Sequence, residues 1–118
     1  MPTSGLVISK VQGVAVANIR VASLLDGPTI DNLANGLFEL VDQQACRKLI
    51  VDFRAVSHMS SQMLGVLVSL NKRSRRIEGK VVLCGIRSNL MKIFEMTGLD
   101  KILDIAEDES TAMRQFTA

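Results

Sequence analysis

The sequence predicts an α/β domain built on a mixed sheet of four or five strands, with an N-terminal hairpin followed by parallel strands. Two observations predict this class. Short alternating segments rich in β-branched residues come first, at residues 5–10 and 13–19. Continuous apolar runs of strand length then alternate with helical patterns, as expected for parallel strands covered on both faces. About four helices are therefore expected to pack on the sheet.

The N-terminal half is expected to contain the hairpin, one helix and one buried strand. Gly13 provides turn chemistry between the hairpin strands, and residues 21–24 suggest one more short extended piece. Pro28 suits the first turn of a helix, and apolar residues recur at helical spacing through 28–43. The run Lys-Leu-Ile-Val-Asp-Phe at 48–53 is typical of a strand buried on both faces.

The C-terminal half is expected to add three helices and two strands. The expected elements are a helix at 61–77, a strand at 80–85, a helix at 89–97, a strand at 102–105 and a helix at 107–116. Ser88 is the expected cap of the helix at 89–97, and Gly98 is expected to end it. No linker or low-complexity segment interrupts this order, so residues 1–118 are expected to form a single domain.

Scarce reactive residues argue against a catalytic or metal centre. The chain has one His, two Cys, no Trp and no Tyr. Cys46 and Cys84 follow no metal or redox spacing, so neither a metal nor another cofactor is expected. A pair of His58 with Ser60 or Ser61 is conceivable, but adjacent loop residues rarely reach the geometry of a nucleophile and its base. We therefore expect the protein not to be an enzyme.

Charge and hydropathy are typical of a cytoplasmic protein. The formal net charge is only +2, and the basic residues at 72–76 resemble a solvated helix end more than a nucleic-acid surface, because stacking aromatic residues are missing. The longest apolar run is broken within about ten residues, whereas a membrane span needs about 20. The first residues also lack a signal-peptide pattern. Neither direct nucleic-acid binding nor membrane insertion is expected.

The loop after the strand at 48–53 carries the most distinctive chemistry. It contains Ser60 and Ser61 directly before a helix, and ligands commonly gather at loops that follow the carboxyl ends of strands. A serine at the N-cap is ordinary and contributes about 1 kcal/mol to stability. The same helix end would also stabilise a phosphate, which adds nearly two negative charges and can switch a binding surface.

Residues 49–67, LIVDFRAVSHMSSQMLGVL, resemble the core motif of the STAS domain of anti-sigma factor antagonists. In that family a strand ending in Asp leads to a turn of the type Asp-Ser-Ser-Gly-Leu-Gly, which opens a helix. Three further regions also resemble the family: residues 23–26 before a helix, residues 79–85 as the penultimate strand, and the stretches 96–100 and 107–113 at the end. The resemblance therefore covers nearly the whole chain and implies a STAS-like mixed sheet.

The resemblance implies that Ser61 is a phosphoacceptor, with Ser60 as the alternative. The family's preceding Asp falls on Ser60, its second Ser on Gln62 and its following Gly on Met63, whereas the later Gly is kept as Gly65. Met63 is expected to be exposed or half-buried beside the phosphoacceptor. The implied partner-binding residues are Asp26, Thr29, Ser60, Gln62, Met63 and Leu64.

The implied mechanism is a partner switch. The unphosphorylated domain binds an anti-sigma factor, which is a serine kinase of the GHKL type, and so releases a sigma factor to regulate transcription. The kinase phosphorylates the serine, the added charge weakens binding, and a PP2C-type phosphatase reverses the step. Leu24, Leu25 and Met63 are expected to form an apolar part of the partner surface. The resemblance is also compatible with a homodimer.

Two other interpretations of the same pattern were compared with the switch. The alternative is a STAS interaction or scaffold subunit that is not phosphorylated, in a stress-sensing assembly or a lipid-transport complex, and the altered turn at 60–63 favours it. A response-regulator receiver is disfavoured, because Ser9, Lys10 and Gln12 stand where an acidic pair is needed.

Overall fold

The computed structural model describes residues 5–116, which form a five-stranded sheet, a two-stranded sheet and four α-helices. The strands are β1 (Leu6–Val11), β2 (Val14–Ile19), β3 (Ser23–Leu24), β4 (Lys48–Asp52), β5 (His58–Met59), β6 (Lys80–Cys84) and β7 (Asp104–Ala106). The helices are α1 (Gly27–Asp42), α2 (Ser61–Arg76), α3 (Ser88–Thr97) and α4 (Glu109–Arg114). The large sheet has the order β1-β2-β4-β6-β7, with β1 antiparallel to β2 and all later pairs parallel. The predicted fold class is confirmed.

A two-residue turn closes the hairpin. Val11 and Val14 are paired, and Gln12 and Gly13 between them both have positive φ, at 52° and 81°. Positive φ at both central residues is the requirement of a type I′ turn, whose twist matches that of the flanking strands. Glycine adopts this backbone without a steric penalty, so Gly13 performs the role that the sequence predicts.

Strand β4 is covered on both faces, as its continuous apolar run predicts. Leu49 and Val51 belong to the larger core, which also contains buried residues of α1, α2 and α3. Ile50 points to the opposite core, which contains Ala112 of α4. All three strand residues are completely buried, and burial of such a side chain contributes about 1.5–3 kcal/mol.

The extended piece expected at residues 21–24 contains β3, but residues 56–59, which include β5, were expected to be loop, and the pairing of the two strands was not predicted. Strand β3 pairs with β5 in parallel, so that Ser23 lies opposite His58 and Leu24 opposite Met59. The next residue extends this contact, since the backbone N–H of Ser60 donates to the carbonyl of Leu24 at 2.9 Å. Two-residue strands show no periodicity, so only the long-range pairing defines them.

Three C-terminal elements differ in their caps or bounds from what the sequence suggests. Arg87 occupies the N-cap of α3 and Ser88 is already its first residue, so the expected serine cap was wrong. A 3₁₀-helix at Leu99–Lys101 displaces the last strand from the expected 102–105 to β7. Helix α4 is likewise shorter than expected and is capped by Asp108. Within residues 5–116, no helix is long and apolar enough to cross a membrane.

Candidate functional site

The N-terminal ends of α1 and α2 lie side by side because β3 and β5, which directly precede them, are paired. Asp26 is the N-cap of α1 and Ser60 is the N-cap of α2. The two helices are also linked directly, because Gln62 Nε2 donates a hydrogen bond to Asp31 Oδ1 at 3.1 Å. The exposed residues at this junction form what we call the α1–α2 end surface: Leu25, Asp26, Asp31, Ser61 and Gln62.

The two serines of the turn differ in their access to solvent. Ser61 is the first residue of α2 and is exposed. Ser60 has the extended backbone of an N-cap, but its hydroxyl makes no capping bond. The Ser60 Oγ is instead buried without a hydrogen-bond partner among residues 5–116. A reagent or enzyme approaching this loop therefore reaches the Ser61 hydroxyl first.

Asp26 supplies a permanent negative charge beside the serine turn. Its carboxylate accepts a hydrogen bond from the backbone N–H of Thr29 at 2.9 Å. That bond lowers the pKa of Asp26 from its ordinary value of 3.8, so the group is ionised at neutral pH. The half-buried Thr29 thus contributes through its backbone to the cap of α1. Asp31 adds a second exposed carboxylate to the α1–α2 end surface.

Met63 and Leu64 belong to the core and not to the surface. Met63 is 0% exposed and Leu64 is 8% exposed, and both lie in the cluster formed with α1 and α3. The expectation of an exposed or half-buried Met63 was wrong, because the inward stripe of α2 already begins at this residue. Leu24 is also fully buried, whereas Leu25 is 57% exposed and is the apolar residue that the surface presents.

Among the described residues, no hydrogen bond joins the His58 ring to Ser60 or Ser61. His58 is exposed on β5, and its Nδ1 lies 3.1 Å from the Ser57 Oγ; the Ser57 hydroxyl donates to the carbonyl of Ala22 at 3.1 Å. No acidic side chain among the described residues hydrogen-bonds to His58. Among residues 5–116, no third group is bonded to His58 in the way that would orient a catalytic base.

An ion pair between the buried Asp52 and the exposed Arg54 at the carboxyl end of β4 was not predicted from the sequence. Asp52 is 1% exposed, and its carboxylate accepts from the backbone N–H of Arg54 at 2.9 Å and from Arg54 Nε at 3.0 Å. Gly85 makes room for the pair, since a Cβ at this position would lie 2.8 Å from Asp52 Oδ1. The visible signal was an Asp at the end of an otherwise apolar strand, with an Arg two residues later.

The two cysteines are in different environments. Cys84 is fully buried in β6, and burial raises the pKa of its thiol to about 12. Cys46 is half-buried, and its Sγ donates to the carbonyl of Lys48 at 3.3 Å. No group of three or more potential metal ligands occurs within residues 5–116.

Comparison with known proteins gives one consistent result. A sequence model of the STAS domain matches residues 7–112. The anti-sigma-B factor antagonist of Listeria monocytogenes is 34% identical over 92 residues, which are 78% of this chain and 80% of that protein.

Solved structures agree with the fold. An anti-sigma factor antagonist from Mycobacterium paratuberculosis superposes with a TM-score of 0.83 at 19% identity, covering 96% of this chain and 93% of that one. The Bacillus cell fate determinant SpoIIAA in its phosphorylated form superposes with a TM-score of 0.70 at 18% identity, covering 92% and 97%.

Proposed function

The chain belongs to the STAS domain family, and on this premise we propose that it is an anti-sigma factor antagonist whose binding is switched by phosphorylation of Ser61. The names of its relatives support the antagonist role. One observation carries the choice of residue: Ser61 is exposed at the start of α2, whereas the neighbouring Ser60 hydroxyl is buried.

A phosphate on Ser61 would be favourable within the domain and unfavourable in a complex. At the first residue of α2 it would lie beside the free N–H groups and positive dipole end of a helix of 16 residues. It would also add nearly two negative charges to a surface that already carries Asp26 and Asp31. A partner fitted to the unmodified surface would then face unbalanced charge, which costs several kcal/mol when it is desolvated.

The proposed partner is an anti-sigma factor that is a serine kinase of the GHKL type, and a PP2C-type phosphatase restores the unmodified serine. The partner would contact the α1–α2 end surface, with Leu25 as its apolar element and Asp26 and Gln62 as polar ones. Burial removes the side chains of Met63 and Leu64 from this contact. Sigma factors act in the cytoplasm, so the proposal places the protein there as a regulator of transcription.

Binding of the partner kinase tests the switch. Isothermal titration calorimetry would compare the wild type with Ser61→Asp and Ser61→Ala. We expect Ser61→Asp to weaken binding at least about 30-fold, corresponding to roughly 2 kcal/mol, and Ser61→Ala to bind like the wild type. Ser88→Asp is a matched control, because Ser88 is also the exposed first residue of a helix. Equal affinity of Ser61→Asp and the wild type would contradict the proposal.

Mass spectrometry tests which hydroxyl is modified. After incubation with the kinase, ATP and Mg²⁺, trypsin cleaves after Arg54 and Lys72 and releases residues 55–72. We expect fragmentation of this peptide to place the phosphate on Ser61. A phosphate on Ser60 would contradict the assignment. A kinase that binds without modifying the chain would favour the unphosphorylated scaffold role.

A further inference from the structure

A second candidate site lies at the carboxyl ends of β2 and β4, outside the α1–α2 end surface. It is an open cleft of about 350 Å³, lined by Asn18, Ile19, Arg20, Asp52, Arg54 and Ala55. Asn18 and Asp52 are register partners in neighbouring parallel strands, so both strands end at this cleft. Ligands of α/β sheets bind at this edge, and the volume lies at the small end of the range for ligand pockets.

Arg54 is held in the cleft with its terminal nitrogens unused. Its backbone N–H and its Nε both donate to the buried carboxylate of Asp52. Its stem lies against Gly85, where a Cβ would approach Arg54 Cγ to 2.6 Å. Neither Nη atom has a hydrogen-bond partner among residues 5–116, and the side chain is 69% exposed. The guanidinium is therefore fixed at one side and open on the other.

Arg20 supplies a second cation, which nothing in the described part of the chain neutralises. Its backbone N–H donates to the carbonyl of Gly5, which fixes the position of the main chain. Its exposed side chain makes no ion pair within residues 5–116. The half-buried amide of Asn18 adds a neutral hydrogen-bonding group. Two guanidinium groups against the single carboxylate of Asp52 leave the lining with a net positive charge.

We propose that this cleft binds a small anion that carries a single phosphate group, with the free N–H groups of Arg20 and Arg54 as donors. Planar guanidinium groups match the oxygens of a phosphate. Two cations also balance the charge of a phosphate dianion better than they match a ligand with a single carboxylate. The lining has no aromatic residue on which a base could stack, which disfavours nucleic acid.

An NMR titration of the unphosphorylated protein with inorganic phosphate, at constant ionic strength, tests the proposal. We expect saturable shifts of the backbone amides of residues 18–20 and 52–55. Arg20→Gln should weaken binding about tenfold, the usual loss for one charge-assisted hydrogen bond. Arg75→Gln, which removes an exposed cation at the far end of α2, should bind like the wild type.

Several results would overturn the proposal. The chemical-shift changes could be concentrated at the basic residues 72–76 or at residues 60–63 instead of the cleft. Arg20→Gln could keep the wild-type affinity for phosphate while its spectrum shows a native fold. Malonate could bind as tightly as phosphate. The titration needs no partner protein and no modified serine. Its failure would therefore leave the role of Ser61 untouched.

Discussion

The replacement of Met63 by Ala separates a core role from a partner-binding role. Family resemblance places Met63 beside the phosphoacceptor, but the side chain is 0% exposed and belongs to the main core. Truncation of a fully buried Met leaves a cavity, and such changes cost about 2–5 kcal/mol. We expect about 3 kcal/mol here, because the surrounding core is continuous across α1, α2 and the sheet.

Thermal unfolding measures this cost. For a domain of this size, a loss of about 3 kcal/mol lowers Tm by roughly 12 °C. The chain has no Trp and no Tyr, so calorimetry or far-ultraviolet circular dichroism is the suitable probe rather than intrinsic Trp fluorescence. At a temperature where the variant is still folded, its affinity for the partner kinase should equal that of the wild type.

The adjacent Gln62→Ala is the matched control. Gln62 is exposed and makes one hydrogen bond to Asp31, so its loss should change the free energy of unfolding by less than about 1 kcal/mol. Because Gln62 lies on the α1–α2 end surface, Gln62→Ala is the variant expected to lower the affinity for the partner kinase. Unchanged Tm in Met63→Ala, or weakened binding in its folded state, would refute the assignment of Met63 to the core.

Three further predictions concern the carboxyl end of the sheet and the thiols. Gly85→Ala should lower the free energy of unfolding by at least about 2 kcal/mol, since φ is +69° and the new Cβ would lie 2.6 Å from Arg54 Cγ. The control Gly13→Ala, where φ is +81° but the space is open, should lower it by only about 1 kcal/mol. Equal shifts in Tm for the two variants would contradict the clash at Gly85. A thiol-reactive disulfide reagent at pH 8 should modify Cys46 in the native protein and Cys84 only after unfolding. The pKa of the Cys84 thiol is about 12 in the folded protein against an ordinary 9.0, so the thiol of the unfolded chain ionises first as the pH rises. The stability that this group contributes is therefore complete below pH 9 and is lost between about pH 9 and 12.

Most of the fold could be predicted because its elements carry their own periodicity. The alternating hairpin strands, the apolar run of β4 and the helical spacing in α1 each identify one element from local residues. An extended piece was expected where β3 lies, but β5 and its pairing with β3 could not be predicted, because a two-residue strand has no period and depends on pairing between distant segments. The late start of β7 had a similar cause, since the 3₁₀-helix before it has no distinctive residue pattern.

The candidate site was predicted less completely than the fold. Asp26 and Ser61 were located correctly at helix ends, since caps and first turns have local signatures. The inward side of α2 was misjudged at Met63, because alignment with a family glycine gives no information about burial. The Asp52–Arg54 pair was missed, because its packing depends on Gly85, which directly follows β6 and lies 31 residues after Arg54.

The amino-acid sequence alone determined the order of the main strands and helices, the scarcity of residues suited to catalysis and the serine turn before α2. These properties depend on residue types and on spacing along the chain. Only the tertiary structure decided that Ser61 is exposed while the Ser60 hydroxyl is buried, and that Asp31 joins Gln62 across two helices. It also decided that Arg20 and Arg54 share one cleft. Solvent access and contacts between distant residues arise from packing, which local patterns do not encode.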